Sequence, residues 1–517
     1  MAETRPNILC IITDQQRADH LSCMGNPVLQ TPNIDRLAAS GVRFERAYCN
    51  NPLCMPGRAT LFTGLPPRSH GVRTNGIPLH PATPTIVGSL SAAGYRTHAV
   101  GKLHMTCFFG QPGQDPATLD PADFAEGAPL WESGRIRHLP SPYYGFQSTE
   151  FAGGHGGYLW GDYLHWLEET HPGASALYQR ENALNPLTGI DQSWVSAIPA
   201  QWHHSTWVAD RTIDFLQREG QSAQPFFLWC SFPDPHHAFC PPEPYATRYA
   251  PEMIPLPVRR EGEFDDLAPH FRDSYEHEVQ VAGRRAPMKM PDAHRQQIIA
   301  LTYGMISLID AQVGRILDSL EALGLRENTV VVFLSDHGDL MGDHGLLNKG
   351  PFHFEGLVRV PFLWSWPGHF SQGVATPALA SYLDFAPTIL DLCNVPAPEG
   401  HVPPRPEAPR QLPACPGKSL APLLRGEVEQ VRDAALIEND EDYLGLRLRT
   451  LVTARYKLTT YSGQPYGELF DLQEDPAELY NRWHDPACAR LRDDLRLALL
   501  DEIVRTDNVL PRRLCHA

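Results

Sequence analysis

Val330-Val331-Val332-Phe333-Leu334-Ser335-Asp336-His337-Gly338 is the stretch from which the fold can be read. Five consecutive apolar residues, rich in β-branched side chains, are what a strand needs when helices cover both faces of a parallel sheet. The run then stops on an acid and an imidazole. Ile8-Leu9-Cys10-Ile11-Ile12 repeats the pattern near the start of the chain and leads through Thr13 into Asp14 and Gln15. Ligands of open α/β sheets collect at the carboxyl ends of strands, so Asp14 and Asp336-His337 face one crevice. Two carboxylates and an imidazole can bind one divalent cation, and oxygen-rich donors favour Ca²⁺, Mg²⁺ or Mn²⁺ over structural zinc. Either group alone is as readily a turn cap or the start of a loop; the pair at equivalent strand ends favours the cation.

Further strands are expected at residues 96–100, 226–231 and 360–364, with helices at 32–40, 205–217, 295–323 and 383–392. The longest of these carries Ile298, Leu301, Met305, Leu308, Ile309, Val313, Ile316 and Leu320 at helical steps. Strands alternating with helices imply an α/β sandwich. Residues ~107–200 and ~240–292, rich in Gly, Pro, aromatics or charge, read as insertions over the sheet edge. Residues 396–416 hold eight prolines and read as a linker between a catalytic domain, 1–395, and a C-terminal α+β subdomain, 417–517. In that subdomain residues 434–437, 446–453, 456–461 and 468–472 predict a small antiparallel sheet, covered by a helix at 490–504.

Bulk properties narrow the function. A chain of 517 residues, 42% hydrophobic and 20% charged, is an ordinary globular protein too long for one simple core. A formal charge of −17 with no basic run argues against a nucleic-acid partner. An anionic substrate must then be held by local positive charge. No segment approaches the ~18 apolar residues of a membrane span. The opening apolar run is too short for a signal-peptide core, and eleven cysteines without regular spacing do not form a disulfide framework. The expectation is a cytoplasmic protein with reduced thiols.

The densest signal is Cys54-Met55-Pro56-Gly57-Arg58-Ala59-Thr60-Leu61-Phe62-Thr63-Gly64. Pro56 suits the first turn of a helix and Gly64 its end. Cys54 then sits at a helix N-terminus, which favours anions, and Arg58, four residues on, shares its face. A buried structural cysteine would be the ordinary reading of Cys-x-Pro-x-Arg, but the eleven-residue string is far more specific. It resembles the signature of the type I sulfatases of the alkaline phosphatase superfamily. Asn7 to Asp14, Gly101-Lys102-Leu103-His104, Pro235-His236, Asp336-His337-Gly338, Lys349 and Glu468-Leu469-Phe470-Asp471-Leu472 extend the resemblance, in the family's order, over nearly all the chain outside the two insertions.

The resemblance implies an alkaline phosphatase-like α/β sandwich, with a large mostly parallel sheet between helices, plus the smaller C-terminal domain with its antiparallel sheet. It implies a sulfuric ester hydrolase in which Cys54 is oxidised to formylglycine by a maturation enzyme. Asp14, Asp336, His337 and residue 54 would hold one divalent cation. Gln15 stands where many members have a second aspartate; with His rather than Asn at 337, this softens the donor set from Ca²⁺ toward Mn²⁺. By the same carry-over Arg58 orients the aldehyde hydrate, Lys102 and Lys349 hold sulfate oxygens, His104 and His236 move protons, and Asn75 contacts substrate. Lys and His on loops are usually solvated surface, but Lys102 and His104, two apart on an extended segment, would point to one side. His203-His204 are read as structural.

The expected reaction is hydrolysis of an aryl or small alkyl sulfate monoester by a homodimer, with side activity on phosphonate monoesters and phosphodiesters. The alternative is that one of those phosphorus esters is the main substrate, although related enzymes of that kind tend to lack the Lys-x-His pair. A two-zinc phosphatase would need a Ser or Thr nucleophile and further ligands. A non-catalytic sulfate-ester binder would leave the proton carriers without a role.

Overall fold

The computed structural model describes residues 5–187, 192–277, 280–281, 284–285, 288–397 and 415–507, with side chains for 278–287 left aside. The strands are β1 Asn7–Thr13, β2 Val42–Tyr48, β3 Arg96–Gly101, β4 Ser148–His155, β5 Tyr158–Gly161, β6 Phe226–Ser231, the short ribbon β7 Gln280–Val281 and β8 Arg284–Arg285, β9 Thr329–Ser335, β10 Phe362–Ser365 and β11 Val374–Ser381. Apart from the ribbon they form one nine-stranded sheet, in the order β11-β2-β10-β9-β1-β6-β3-β4-β5. β10 runs antiparallel to both β9 and β2, and β5 antiparallel to β4; every other pairing is parallel.

Both faces of β1 are buried, as its unbroken apolar run requires. Ile8, Cys10 and Ile12 pack on one side, with Met55, Phe62, Leu90 and Ile389 from helices Cys54–Thr63, Ile86–Ala92 and Phe385–Leu392. Leu9 and Ile11 pack on the other, with Ile34, Trp207 and Ile309 from helices Pro32–Ala39, His204–Glu219 and Asp292–Ala322. Burying roughly 25 cal/mol per Å² of apolar surface on both sides makes the central strands the most costly part of the molecule to disturb. The expected sandwich, a large mostly parallel sheet between helices, is therefore the observed architecture.

Several elements differ from their sequence-based expectation. β2 and β11 carry no unbroken apolar run: β2 reads VRFERAY, and β11 carries Pro377 beside an irregularity between Thr376 and Leu379, which an edge strand tolerates. Part of the expected first insertion, β4 and β5, is built into the sheet and extends its other edge. The linker expected at 396–416 lies mostly outside the described residues. Beyond it, β12 Ala434–Glu441, β13 Leu446–Thr453, β14 Tyr456–Tyr461 and β15 Gly467–Asp471 form an antiparallel four-stranded sheet. Leu436, Leu451, Leu458 and Leu469 bury one face of it against Leu495 and Leu499 of helix Ala489–Arg505. Leu448, Tyr461 and Phe470 turn instead to Phe352 and Phe354, on the stretch that follows Lys349. Among the described residues no helix is long and apolar enough to cross a membrane.

Registers align the sheet's carboxyl ends. Thr13 is level with Ser335, Ile12 with Ser231, and Gly101 with Ser231. Asp14, Asp336 and Lys102, each the next residue along its strand, therefore emerge side by side.

The smaller sheet carries a titratable buried acid. Glu468 of β15 accepts the Tyr461 hydroxyl on both oxygens, at 2.9 and 3.0 Å, and burial pushes its pKa up to about 8. A folded-state pKa above the unfolded value means the folded chain holds the proton longer, so stability falls as pH rises between the two. Glu468→Gln should match the parent protein near pH 4 and become progressively more stable than it toward pH 8, by at most about 1.4 kcal/mol per pH unit. Urea unfolding at a series of pH values reads this; parallel stability curves for the two proteins would contradict it.

Candidate active site

Helix Cys54–Thr63 follows β2 and runs beneath the aligned strand ends with all ten residues buried. Leu53 is its N-cap and Gly64 ends it with φ 68°, as the sequence predicts. A Cβ on Gly57 would come within 2.9 Å of the Asp336 carbonyl, so the helix approaches the β9 terminus as closely as glycine permits. This delivers Cys54 and Arg58 to the same place. The Arg58 guanidinium donates to Asp336 Oδ2 (2.8 Å), Asp14 Oδ2 (3.2 Å), Ser231 Oγ (3.0 Å) and the Lys102 carbonyl (3.0 Å).

Around Cys54 Sγ the polar groups divide into two sets. Asp14 Oδ1 lies 3.7 Å away and His337 Nε2 3.2 Å. With Asp336 they form a group whose ligand atoms all fall within 4.8 Å of one another. His337 Nδ1 sits 2.8 Å from the Gly338 carbonyl, which can only accept, so Nδ1 carries the hydrogen and Nε2 offers a lone pair. Lys349 Nζ lies 2.9 Å from Sγ, 3.1 Å from His337 Nε2 and 2.9 Å from His236 Nε2. His236 Nδ1 lies 2.5 Å from the His237 carbonyl, which fixes its hydrogen there and leaves Nε2 to accept from Lys349. Lys102 Nζ pairs with Asp14 Oδ2 at 2.6 Å.

Electrostatics follow from burial and from these neighbours. Burial pushes the Asp14 carboxyl up, but Lys102, Arg58 and Lys349 together hold it well below the ordinary carboxylate range. Burial and then Asp14 push the Cys54 thiol up, so an unmodified Cys54 is a protonated, poor nucleophile. Burial, reinforced by Lys102, keeps His104 neutral, and burial with His155 does the same for His236. The His104 ring stacks on Phe108 (3.7 Å between centroids), its Nδ1 buried without a hydrogen-bond partner, and Lys102 Nζ lies 5.4 Å from the same Phe108 ring.

All the sequence-predicted site residues converge here except Asn75, which is partly exposed and whose Oδ1 accepts the Met55 N–H at 3.0 Å, a helix-capping contact. One expectation is corrected. Lys102 and His104 do not lie on an extended segment, because His104 has φ 61° and the chain turns there. Sequence reasoning missed His155, whose ring lies against His236 with centroids 3.7 Å apart and planes tilted by 31°, and the Glu126 carboxylate behind the His104 turn. Nothing in their spacing marks them. It also missed Asp339, although that residue follows the Asp336-His337-Gly338 motif directly.

His203 and His204 face Asp234, whose carbonyl accepts the Asp14 N–H at 3.1 Å. Tyr163 donates to the Trp202 carbonyl, so Tyr178 donates to Tyr163 and His204 Nδ1 must donate to Tyr178. His203 Nδ1 accepts the Ser205 N–H, which leaves Nε2–H, not a lone pair, toward Asp234. His204 Nε2, left without a hydrogen, lies 2.9 Å from Asp234 Oδ1, and the Ser205 hydroxyl donates to Asp234 Oδ2 at 3.1 Å.

The family model described as Sulfatase matches residues 6–395, three-quarters of the chain. The chain belongs to the sulfatase family. A second model, described as N-sulphoglucosamine sulphohydrolase, C-terminal, matches residues 342–505. An arylsulfatase of Clostridium perfringens (strain 13 / Type A) is 30% identical over 508 residues, covering 96% of this chain and 94% of its own. The multifunctional alkaline phosphatase superfamily protein PehA of Trinickia caryophylli is 28% identical, covering 98% and 97%. The crystal structure of the phosphonate monoester hydrolase of Agrobacterium radiobacter superposes with a TM-score of 0.80 at 28% identity, covering 98% and 96%. As a member of the sulfatase family, within the alkaline phosphatase superfamily, this chain is a sulfuric ester hydrolase.

Sulfatases as a family use a divalent cation, and the residues of this sulfatase fit one. Gln15 donates its amide nitrogen to Asp339 Oδ2 (2.5 Å) and His237 Nδ1 (3.2 Å), while Oε1 stays buried without a hydrogen-bond partner. A buried acceptor with nothing to accept is costly unless a cation or donor faces it. Asp14, Asp336, His337 and Gln15 together form a hard, oxygen-rich donor set with one imidazole. Chelator-stripped protein should bind a single Mn²⁺ or Ca²⁺ per chain in calorimetry. Gln15→Leu should weaken that binding ~10–100-fold, the range of a lost supporting group, and His337→Ala more. Unchanged affinity in both variants would place the cation elsewhere.

Proposed function

We propose that this sulfatase hydrolyses sulfate monoesters of aryl or small alkyl alcohols, using formylglycine made from Cys54. The observation that carries this reading is the position of the residue 54 side chain, beside the cation donors Asp14 and His337 and within hydrogen-bond reach of Lys349, which reaches His236 in turn. A divalent cation, Ca²⁺ or Mn²⁺, would supply Lewis acidity and charge neutralisation, and the hydrated aldehyde the attacking oxygen. Asp14, Gln15, Asp336, His337 and residue 54 would hold the cation.

The remaining chemistry belongs to residues on the chain. Arg58 ties the two carboxylates into a fixed pair and orients residue 54, four positions before it. Lys102 and Lys349 would hold sulfate oxygens. His236, accepting from Lys349, would pass a proton to the departing alcohol, a role worth ~10²–10⁴ in rate. His104, neutral and with a free Nδ1, would take the proton whose loss releases sulfate. Phe108, which stacks on His104, and the exposed Phe109, both in ring contact with Trp160, suit an aryl leaving group. Asn75, whose Oδ1 is taken by the Met55 N–H, would have only its amide nitrogen to offer as a further substrate contact. We place the enzyme in the cytoplasm, where a formylglycine-generating partner would meet it with its thiols reduced; the described cysteines are all free. A homodimer is part of the same reading.

The likeness to the phosphonate monoester hydrolase of Agrobacterium radiobacter supports a second reading, with phosphonate monoesters or phosphodiesters as side or main substrates. Lys102 and His104 favour sulfate. Cys54→Ala and Cys54→Ser should each abolish turnover of 4-nitrophenyl sulfate, and intact mass should show the aldehyde or its hydrate in the parent protein. Sustained turnover by either variant would end the proposal. Catalytic efficiency on 4-nitrophenyl sulfate should exceed that on phenylphosphonate esters and phosphodiesters; the reverse order would favour the second reading.

A further inference from the structure

Glu126 lies in the segment that reads as an insertion, yet its carboxylate is fully buried behind the catalytic turn. Oε2 accepts the His104 N–H through a short hydrogen bond. Oε1 accepts the N–H groups of Met105 (2.6 Å) and Thr106 (3.2 Å) and the Tyr143 hydroxyl (2.9 Å). Three successive backbone amides aimed at one anion form a small concave nest. The contact is reciprocal: the Glu126 N–H donates to Thr106 Oγ1 at 2.9 Å, and Trp160 Nε1 donates to the Glu126 carbonyl at 2.8 Å. Every partner of the carboxylate is a donor, so the ionised form satisfies them all.

The turn needs such an anchor. His104 sits at φ 61°, which side-chain-bearing residues seldom adopt and which persists only where surroundings enforce it. The sheet holds the front of the turn, through the Lys102 N–H to the Ser231 carbonyl (3.1 Å) and Arg58 to the Lys102 carbonyl (3.0 Å). The rear hangs from Glu126.

We propose that Glu126 is a positioning residue, whose carboxylate sets the His104–Thr106 turn and so keeps the His104 imidazole beside Lys102 in the active site. The catalytic half of this inference rests on His104 being the base of the proposed reaction. In Glu126→Gln the amide must turn an NH₂ against at least one of the four donors, with little change in size. Tyr143→Phe removes a single donor and gives a milder probe should the first variant fold poorly.

In the mature full-length enzyme, Glu126→Gln should raise amide hydrogen exchange in the peptide covering residues 102–107, while peptides from β1 and β9 exchange as in the parent. Steady-state kcat on 4-nitrophenyl sulfate should fall by about 10²-fold, the scale of a misplaced catalytic group, with KM changed far less. Tyr143→Phe should shift both readouts in the same direction by less. A Glu126→Gln/His104→Ala double variant should be no slower than His104→Ala alone. Unchanged exchange at 102–107, parent-like kcat, or losses that multiply in the double variant would each overturn the inference. Full turnover in His104→Ala with the turn still loosened in Glu126→Gln would overturn it from the other side, by removing the base that the turn is said to hold.

Discussion

One guanidinium joins everything that matters at this site. Arg58 reaches up from a wholly buried helix and binds carboxylates at the ends of two neighbouring strands, together with the terminal serine of a third. Two carboxylates brought this close would repel, and one would take up a proton, unless fixed positive charge stood between them. The planar fork of Arg meets that need and fixes their angle as well. Removing one partner of such a buried network typically costs ~3–5 kcal/mol, because the remaining charges are stranded. The close approach at Gly57, the level strand ends and the position of residue 54 all follow from this clamp.

The electrostatic consequence runs against the bulk of the molecule. A chain of formal charge −17 gathers three basic side chains, Arg58, Lys102 and Lys349, around Asp14, Asp336 and Cys54. In a buried site of low effective dielectric these near charges, and not the distant surface acids, govern which ions enter. An ester carrying negative oxygens is drawn to such a place. In the proposed reaction the uncharged part of the substrate would meet Phe108, Phe109 and Trp160, all supplied by the segment between β3 and β6.

How much of this could be read in the sequence depends on whether a residue's role is local. β1, β6 and β9 announce themselves because a strand covered on both faces must be apolar throughout. Pro56 and Gly64 mark their helix because its ends impose residue types, and Cys54 and Arg58 stand out through the resemblance of the eleven-residue string to the sulfatase signature. β2 and β11 stayed hidden because part of each is solvated and their pairing partners are remote in the chain. The turn at His104 was misjudged because its positive φ is imposed by Glu126, more than twenty residues away. His155 lies against His236 across an even longer separation. Roles of that kind are set by tertiary contact and leave no period or motif behind.

The burial of helix Cys54–Thr63 has one more implication, which concerns timing. All ten of its residues are sealed beneath the sheet, and Cys54 is only 2% exposed. No second protein could grip the surrounding backbone of the native molecule. If Cys54 is oxidised as proposed, the modifying enzyme would have to find the segment while it is still extended. The proportion of competent molecules would then be decided by a race during synthesis between modification and collapse, with a late cysteine locked out once the clamp has closed.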